Sequence, residues 1–296
     1  VTSLPAWRRL SSGVLADRQF RVLWIAQAVS LTGSAVTQVV LPLLMYQRTR
    51  SPAATSVLAA TEAIPYVVFG PVAGVVADRV RRRPFLVRQV MTELAEGLRF
   101  LWDDTIIRAL VAVSLALSVA GGGVFGLLVV YATRGLGLPA HSALIGLFYS
   151  AAALGGLGAA VYASVLGRRA GPVRAALLAL AASPVLLAAV ATAHLVIAAL
   201  ALVAAWAITY SGVTISAITA RQVRIPSRLQ GRVNTTARLL GWGIGWPAGA
   251  AIAGVLAGPI GVRGAYLLAA AVLALVAVLA WVSPLRNANA GSRQRR

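Results

Sequence analysis

The chain has no cysteine, so disulfides and thiolate metal sites are excluded. It has two histidines, His141 and His194, far apart in sequence and with no acidic cluster near either, so no metal site is expected. Acidic residues number only seven, and lysine is absent: all 27 basic residues are arginine. Charged residues make up 11% of the 296 positions, against about 25% in a soluble domain. No Walker-type loop is present to cradle phosphates, and no nucleophilic serine elbow. The chain is not expected to be an enzyme or to use a cofactor.

What the sequence does have is apolar length. It is 59% hydrophobic with a mean hydropathy of +0.83. Runs of about 20 apolar residues recur along the chain, enough to cross a bilayer core as helix. Only helices or closed barrels satisfy the backbone in hydrocarbon, and these runs are too long for barrel strands. The expected fold class is all-α, a polytopic helical membrane protein. A net charge of +20 could indicate nucleic acid, but the arginines cluster in short loops between apolar spans. No folded soluble domain is left to present a basic face. The lipid bilayer is therefore the expected partner, and nucleic acid is not.

Eight spans are expected, near 22–46, 54–77, 106–131, 142–165, 173–192, 195–220, 235–256 and 262–282. With the N terminus inside, only Arg48, Arg50, Arg134 and Arg263 fall outside, and the other 23 arginines fall inside. One span more or fewer would reverse every later loop and destroy this asymmetry. The positive-inside bias thus supports a plasma-membrane protein with both termini cytoplasmic. Met91, Leu94, Leu98 and Leu101 recur at helical spacing between charged residues, and predict a short amphipathic interfacial helix over 91–104.

Several segments resemble one family. GVVADRVRRRP, from Gly74 to Pro84, places Asp78-Arg79 and Arg81-Arg82-Arg83 after a long apolar span. RQFRVLWIAQAVSLTG from Arg18, EGLRFLWDD from Glu96 and RQVRIPSRLQGRV from Arg221 carry further likeness. GRRAGPVR, from Gly167 to Arg174, is a degenerate counterpart of the Asp-Arg loop without its acid. Together they resemble the drug- and siderophore-exporter branch of the major facilitator superfamily. The resemblance implies twelve helices in two six-helix halves built from inverted repeats. Against that plan residues 1–90 look like a remnant of the N-terminal half with two helices. Residues 91–296 look like a complete C-terminal half, and helices three to six are missing. The implied function is proton-coupled efflux of a small lipophilic molecule. The competing reading is a non-transporting deletion remnant or a membrane assembly partner, with homodimerisation as a way to supply a second bundle. The resemblance also makes Gly74, Asp78, Arg79, Arg82 and Arg83 a cytoplasmic gate motif.

Other candidates come from the residues themselves. Glu62 is the one acid well inside an expected span, about nine residues or ~13 Å from its outer end. A carboxylate there must be protonated, paired or facing a wet cavity. It is either a proton-coupling group or a neutral interhelical hydrogen-bonding group. Gln27, Ser30, Ser34 and Gln38 share one face of the first span and should turn toward a cavity or a neighbouring helix. Trp206, Tyr210 and Thr214 are spaced by four, with Ser211 beside them, and make an aromatic, weakly polar face suited to a lipophilic ligand or to ordinary packing. Trp242 and Trp246 straddle Gly243, Gly245 and Pro247, which predicts a kinked helix that could gate. GGLGAA, Gly155 to Ala160, lies inside an apolar span and reads as close helix packing rather than a dinucleotide loop.

The topology is open to direct test, because the chain is free of cysteine. Single cysteines placed beside Arg82, Arg169 and Arg228 are expected to react with impermeant reagent only from the cytoplasmic side. Labelling of any of them from outside intact cells refutes the eight-span arrangement.

Overall fold

A computed structural model describes residues 18–61 and 97–287. Every regular element among them is helical. Helix α1 is Arg18–Thr49, and α2 is Pro52–Thr61. A short helix α3 covers 97–103. Helix α4, Thr105–Gly126, runs on through Leu128–Val130 into a π-helical turn, Tyr131–Gly135. Then come α5 (Leu144–Ala170), α6 (Pro172–Thr192) and α7 (Val196–Arg224). Helix α8 (Ser227–Arg238) passes through a π-helical segment, Leu239–Gly245, into α9 (Trp246–Leu256). Helix α10 is Gly261–Val282, and a 3-10 turn follows at Pro284–Asn287.

Among the described residues, six helices are long and apolar enough to cross a membrane: α4, α5, α6, α7, the continuous stretch Leu229–Leu256, and α10. They match the last six spans expected from the sequence. The first expected span lies within α1. The second begins as α2, and its remainder is outside the described residues. The chain divides into two compact units, Val1–Leu41 and Pro42–Arg296. The described part of the first is the N-terminal stretch of α1. The rest of this section concerns the second.

Helix ends fall where the local chemistry stops them. Asp104 caps α4, its Oδ1 accepting from the backbone N–H of Ile106 (2.8 Å) and Ile107 (3.0 Å). Gly171 takes φ +85° between α5 and α6, a conformation only glycine adopts freely, and Pro172 opens α6 where no N–H is needed. Ile225 is extended because Pro226 follows it, and this ends α7.

Between helices in lipid there is little hydrophobic drive, so close van der Waals packing over small residues has to hold them. The tightest such contact joins α4 to α9. A Cβ on Gly122 would strike the Trp246 carbonyl oxygen, and one on Gly249 would strike the Val119 carbonyl oxygen. Gly123 and Gly126 face the Cβ atoms of Ala253 and Ala250 at 3.0 and 3.2 Å from an added Cβ. Helix α2 packs onto the same pair of helices: Ser56 is fully buried, donates to the Gly126 carbonyl at 3.4 Å, and lies against Gly254. The GGLGAA segment behaves as expected. A Cβ on Gly155 would meet the Ala204 carbonyl oxygen, so the segment brings α5 against α7.

Tyrosines tie other helices together by donating to backbone carbonyls. Tyr131 OH donates to Val190 O, and Tyr266 OH to Val124 O at 2.8 Å; the two rings stack at 5.2 Å. Tyr162 OH ties α5 to α6 through the Ala175 carbonyl at 2.7 Å. A smaller core joins α3 and α8 to the starts and ends of the long helices, with Leu101, Ile107, Ile225 and Val233 buried together. In the 91–104 segment, Leu101 thus faces protein while Leu98 and Trp102 are exposed. Large apolar side chains on α5, among them Leu154, Leu157 and Val161, point out of the bundle, where a membrane would meet them.

Gly249→Val should disrupt the α4–α9 contact, because the Val119 backbone cannot retreat without moving a helix. A loss of at least about 1–3 kcal/mol is expected for such overpacking. It should read as a fall in the melting temperature of the purified protein. Gly146→Ala, at a site with nothing within 4 Å of the added carbon, serves as control and should leave it unchanged or raise it. Equal melting temperatures for the two variants would show that the backbones do not meet as described.

Candidate functional site

The α4–α9 contact sets up a cluster of rings. Phe125 on α4 stacks on Trp246 at 5.4 Å and lies 5.9 Å from Trp206 and 6.3 Å from Tyr210 on α7. Trp206 and Tyr210 are 5.2 Å apart, one helical turn from each other. Trp242 stacks on Trp246 at 5.1 Å with an interplanar angle of 6°. Two aromatic faces that looked independent in the sequence are thus a single cluster of five rings from three helical stretches. Phe125, which joins them, carries no signal of its own: it is one apolar residue inside an apolar span.

The cluster is graded in exposure. Trp206 is fully buried, Tyr210 and Trp246 are half-buried, and Trp242 is 46% exposed. Gly121 makes room for Tyr210, since a Cβ there would come within 2.6 Å of the tyrosine ring. The indole Nε1 of Trp206 is buried and makes no hydrogen bond among the described residues. A buried donor left unpaired is uncommon and calls for an explanation. Thr214 is engaged within its own helix, its hydroxyl donating to the Tyr210 carbonyl at 3.0 Å. Ser211 lies beside the ring pair, half-buried and near Gly156 on α5.

The predicted kink at Trp242–Pro247 takes the form of π-helix. The Trp246 N–H donates to Gly241 O, five residues back, and Pro247 has no N–H to continue the ladder. Gly241, Gly243 and Gly245 are buried in this segment, so the widened turn can sit against Ser118 and Leu115 of α4.

Other sequence candidates fall elsewhere. Ser30 and Gln38 lie on α1 with exposed side chains. Gln27 and Ser34 lie on the same helix, and their side chains are outside the described residues, as are Glu62, Gly74, Asp78, Arg79, Arg82 and Arg83.

One functional candidate was misread in the sequence as a loop charge. Arg221, near the end of α7, is buried, with 5% exposure. Its Nη1 donates to Ser114 Oγ on α4 at 3.1 Å, and Ser114 in turn donates to Leu110 O at 2.8 Å. Its Nε has no partner among the described residues. Nothing in a run of basic residues marks which one turns inward; Ser114, hidden in an apolar span, was the available clue.

Six long apolar helices among the described residues define a multi-pass helical membrane protein. Residues 11–94 match the family described as transmembrane secretion effector. A 79-residue stretch is 33% identical to macrolide efflux protein A of Streptococcus pyogenes, and matches the same protein of serotype M6 equally well. That stretch is 27% of this chain and 20% of the relative, so the chain spans about a fifth of the length of the curated relatives it matches. Over these residues the chain is similar to a transmembrane secretion effector and to an efflux protein.

Arg221 gives a stability test. Among the described residues the Arg221 guanidinium bonds only to neutral oxygen; such a buried charge is costly to desolvate, and a flexible apolar side chain of similar length avoids that cost. Arg221→Met is expected to hold or raise the melting temperature by a few degrees. A fall of several degrees would mean that Arg221 is paired with an anion.

Proposed function

We propose that this chain is a plasma-membrane exporter of a small lipophilic molecule, driven by a proton gradient, with both termini in the cytoplasm. The observation that carries the reading is the five-ring cluster with an indole N–H at its buried end that has no partner among the described residues. Aromatic faces take up an apolar body over a large area, and their quadrupoles attract a cationic group if the ligand has one. Trp206 Nε1 supplies one directed donor for a carbonyl or ether oxygen. The π segment beside the cluster suits movement, because π turns are local departures from the α-helical ladder and are frequent at functional sites. A shift to α-helical register there would carry Trp242 and Trp246 with it. The match to a secretion-effector family and the likeness to an efflux protein support the same direction of transport.

In this reading Glu62 is the proton-coupling group, and Gln27, Ser30, Ser34 and Gln38 line the path on the first span. The loop from Gly74 through Asp78, Arg79, Arg82 and Arg83 acts as the cytoplasmic gate. A second reading rests on the span count: the sequence carries about eight apolar spans where the family plan has twelve. On that reading the chain is an assembly partner or a remnant, and a homodimer would supply the missing bundle.

Liposomes holding the full chain, an imposed pH gradient and a lipophilic substrate distinguish the two. A macrolide, after the name of the relatives, is the first to try. Gradient-dependent flux is expected, reduced about tenfold or more by Trp206→Phe, which keeps the ring and removes the donor, and abolished by Glu62→Gln. Flux unchanged by Trp206→Phe refutes the aromatic site. No flux from the monomer, but flux from a dimer resolved by size, supports the assembly reading.

A further inference from the structure

The end of the bundle opposite Arg221 holds few arginines, and they are not evenly spread. Arg263 is a clamp: its Nη2 donates to the carbonyls of Gly135 and Ala193, both at 2.9 Å, joining three helix ends. Arg134 is a second clamp, with Nε donating to Tyr46 OH at 2.8 Å and Nη2 to the Arg50 carbonyl at 2.6 Å. Its guanidinium also lies over the Tyr46 ring, 5.7 Å from the centroid. Gln47 adds a third tie, donating to Ala140 O at 2.7 Å. These bonds fix the end of α1 to the 131–141 segment, and between them lies a cavity of about 620 Å³.

Among the described residues the cavity is lined by Arg50, Arg134 and His141 and by no acidic residue; Tyr46, Leu138 and Pro139 supply apolar wall. Arg134 has five N–H donors, and the bonds above engage only part of them; Nη1 makes none among the described residues. The Arg50 side chain is exposed and makes no hydrogen bond among the described residues. Its backbone is at φ +52°, the left-handed conformation in which helices end most comfortably on glycine. An arginine at such a position costs conformational energy that glycine would not, so the side chain should return something.

We propose that this cavity binds a phosphate ester, held by the guanidinium groups of Arg50 and Arg134 with His141, its organic part resting on Tyr46, Leu138 and Pro139. Guanidinium pairs match phosphate oxygens bidentately. A volume of about 620 Å³ holds a phosphate together with a glycerol- or sugar-sized group. The helical run from Thr105 to Gly135, with a turn at Leu127, is longer than a hydrocarbon core, so the segment after it lies at headgroup depth. The phosphate can therefore come from an anionic lipid or from a soluble ester reaching the same mouth.

Arg50→Gly separates binding from folding, because glycine relieves the φ +52° backbone and keeps the carbonyl that Arg134 needs. The full chain is placed in nanodiscs of phosphatidylcholine alone or with phosphatidylglycerol, and glycerol 3-phosphate is titrated against the phosphatidylcholine sample. Thermal shift and native mass spectrometry of retained lipid are the readouts. The parent chain is expected to be stabilised by phosphatidylglycerol, by glycerol 3-phosphate, or by both, and the arm that responds identifies the source. Arg50→Gly should melt at the same or a higher temperature in phosphatidylcholine, yet bind the responding ligand about tenfold more weakly. Arg50→Lys should recover part of that loss. A parent chain indifferent to both phosphate sources, or an Arg50→Gly variant that binds as the parent does, overturns the proposal.

Discussion

The rest of the structure depends on two backbones touching. Gly122 and Gly249 let α4 and α9 approach until each glycine faces a carbonyl oxygen of the other helix. In water such a contact would be one among many, with solvent exclusion supplying most of the energy. In lipid that drive is gone, and close fit has to do more of the work. The approach brings Phe125 against Trp246 and sets the distance to Trp206 and Tyr210 on α7. It also leaves the groove in which Ser56 of α2 is buried. A side chain at either glycine would separate all three at once.

The same contact explains why the helix containing Trp242 is not regular. Pro247 interrupts the hydrogen-bond ladder, and the turn before it widens so that Trp246 N–H reaches Gly241 O. Three buried glycines let this wider turn remain close to α4. The helix therefore combines an α-helical half, packed through Gly249, with a π-helical half whose hydrogen bonds reach five residues back. The exposed ring of Trp242 belongs to the second half and the stacked ring of Trp246 begins the first. The aromatic cluster is thus placed across that boundary.

Three arginines place their charge against neutral oxygen. Arg263 and Arg134 satisfy carbonyls left over at helix ends, which need donors in any case. Arg221 does the same for a serine inside the bundle. With seven acids in the whole chain, arginine cannot find a carboxylate at most sites. The delocalised guanidinium, with its several donors in one plane, suits this better than an ammonium would, and lysine is absent.

By itself the sequence determined the solvent, the helical class and the positions of the last six spans, because twenty apolar residues in hydrocarbon have one way to satisfy their backbone. The GGLGAA packing site was legible for a related reason: small residues in a membrane helix have few uses other than close approach. The likeness to exporters was legible in the loop and span motifs, and the match over residues 11–94 falls on some of the same stretches. Tertiary structure alone decided that Trp206, Tyr210, Trp242 and Trp246 share one cluster, since Phe125 is indistinguishable from its apolar neighbours until α4 and α9 meet. It alone turned Arg221 inward while Val223, two positions on, stays exposed. It alone gathered Arg50, Arg134 and His141 at one cavity from stretches about 90 residues apart, because the pairing of α1 with the 131–141 segment is a long-range contact that no local pattern encodes.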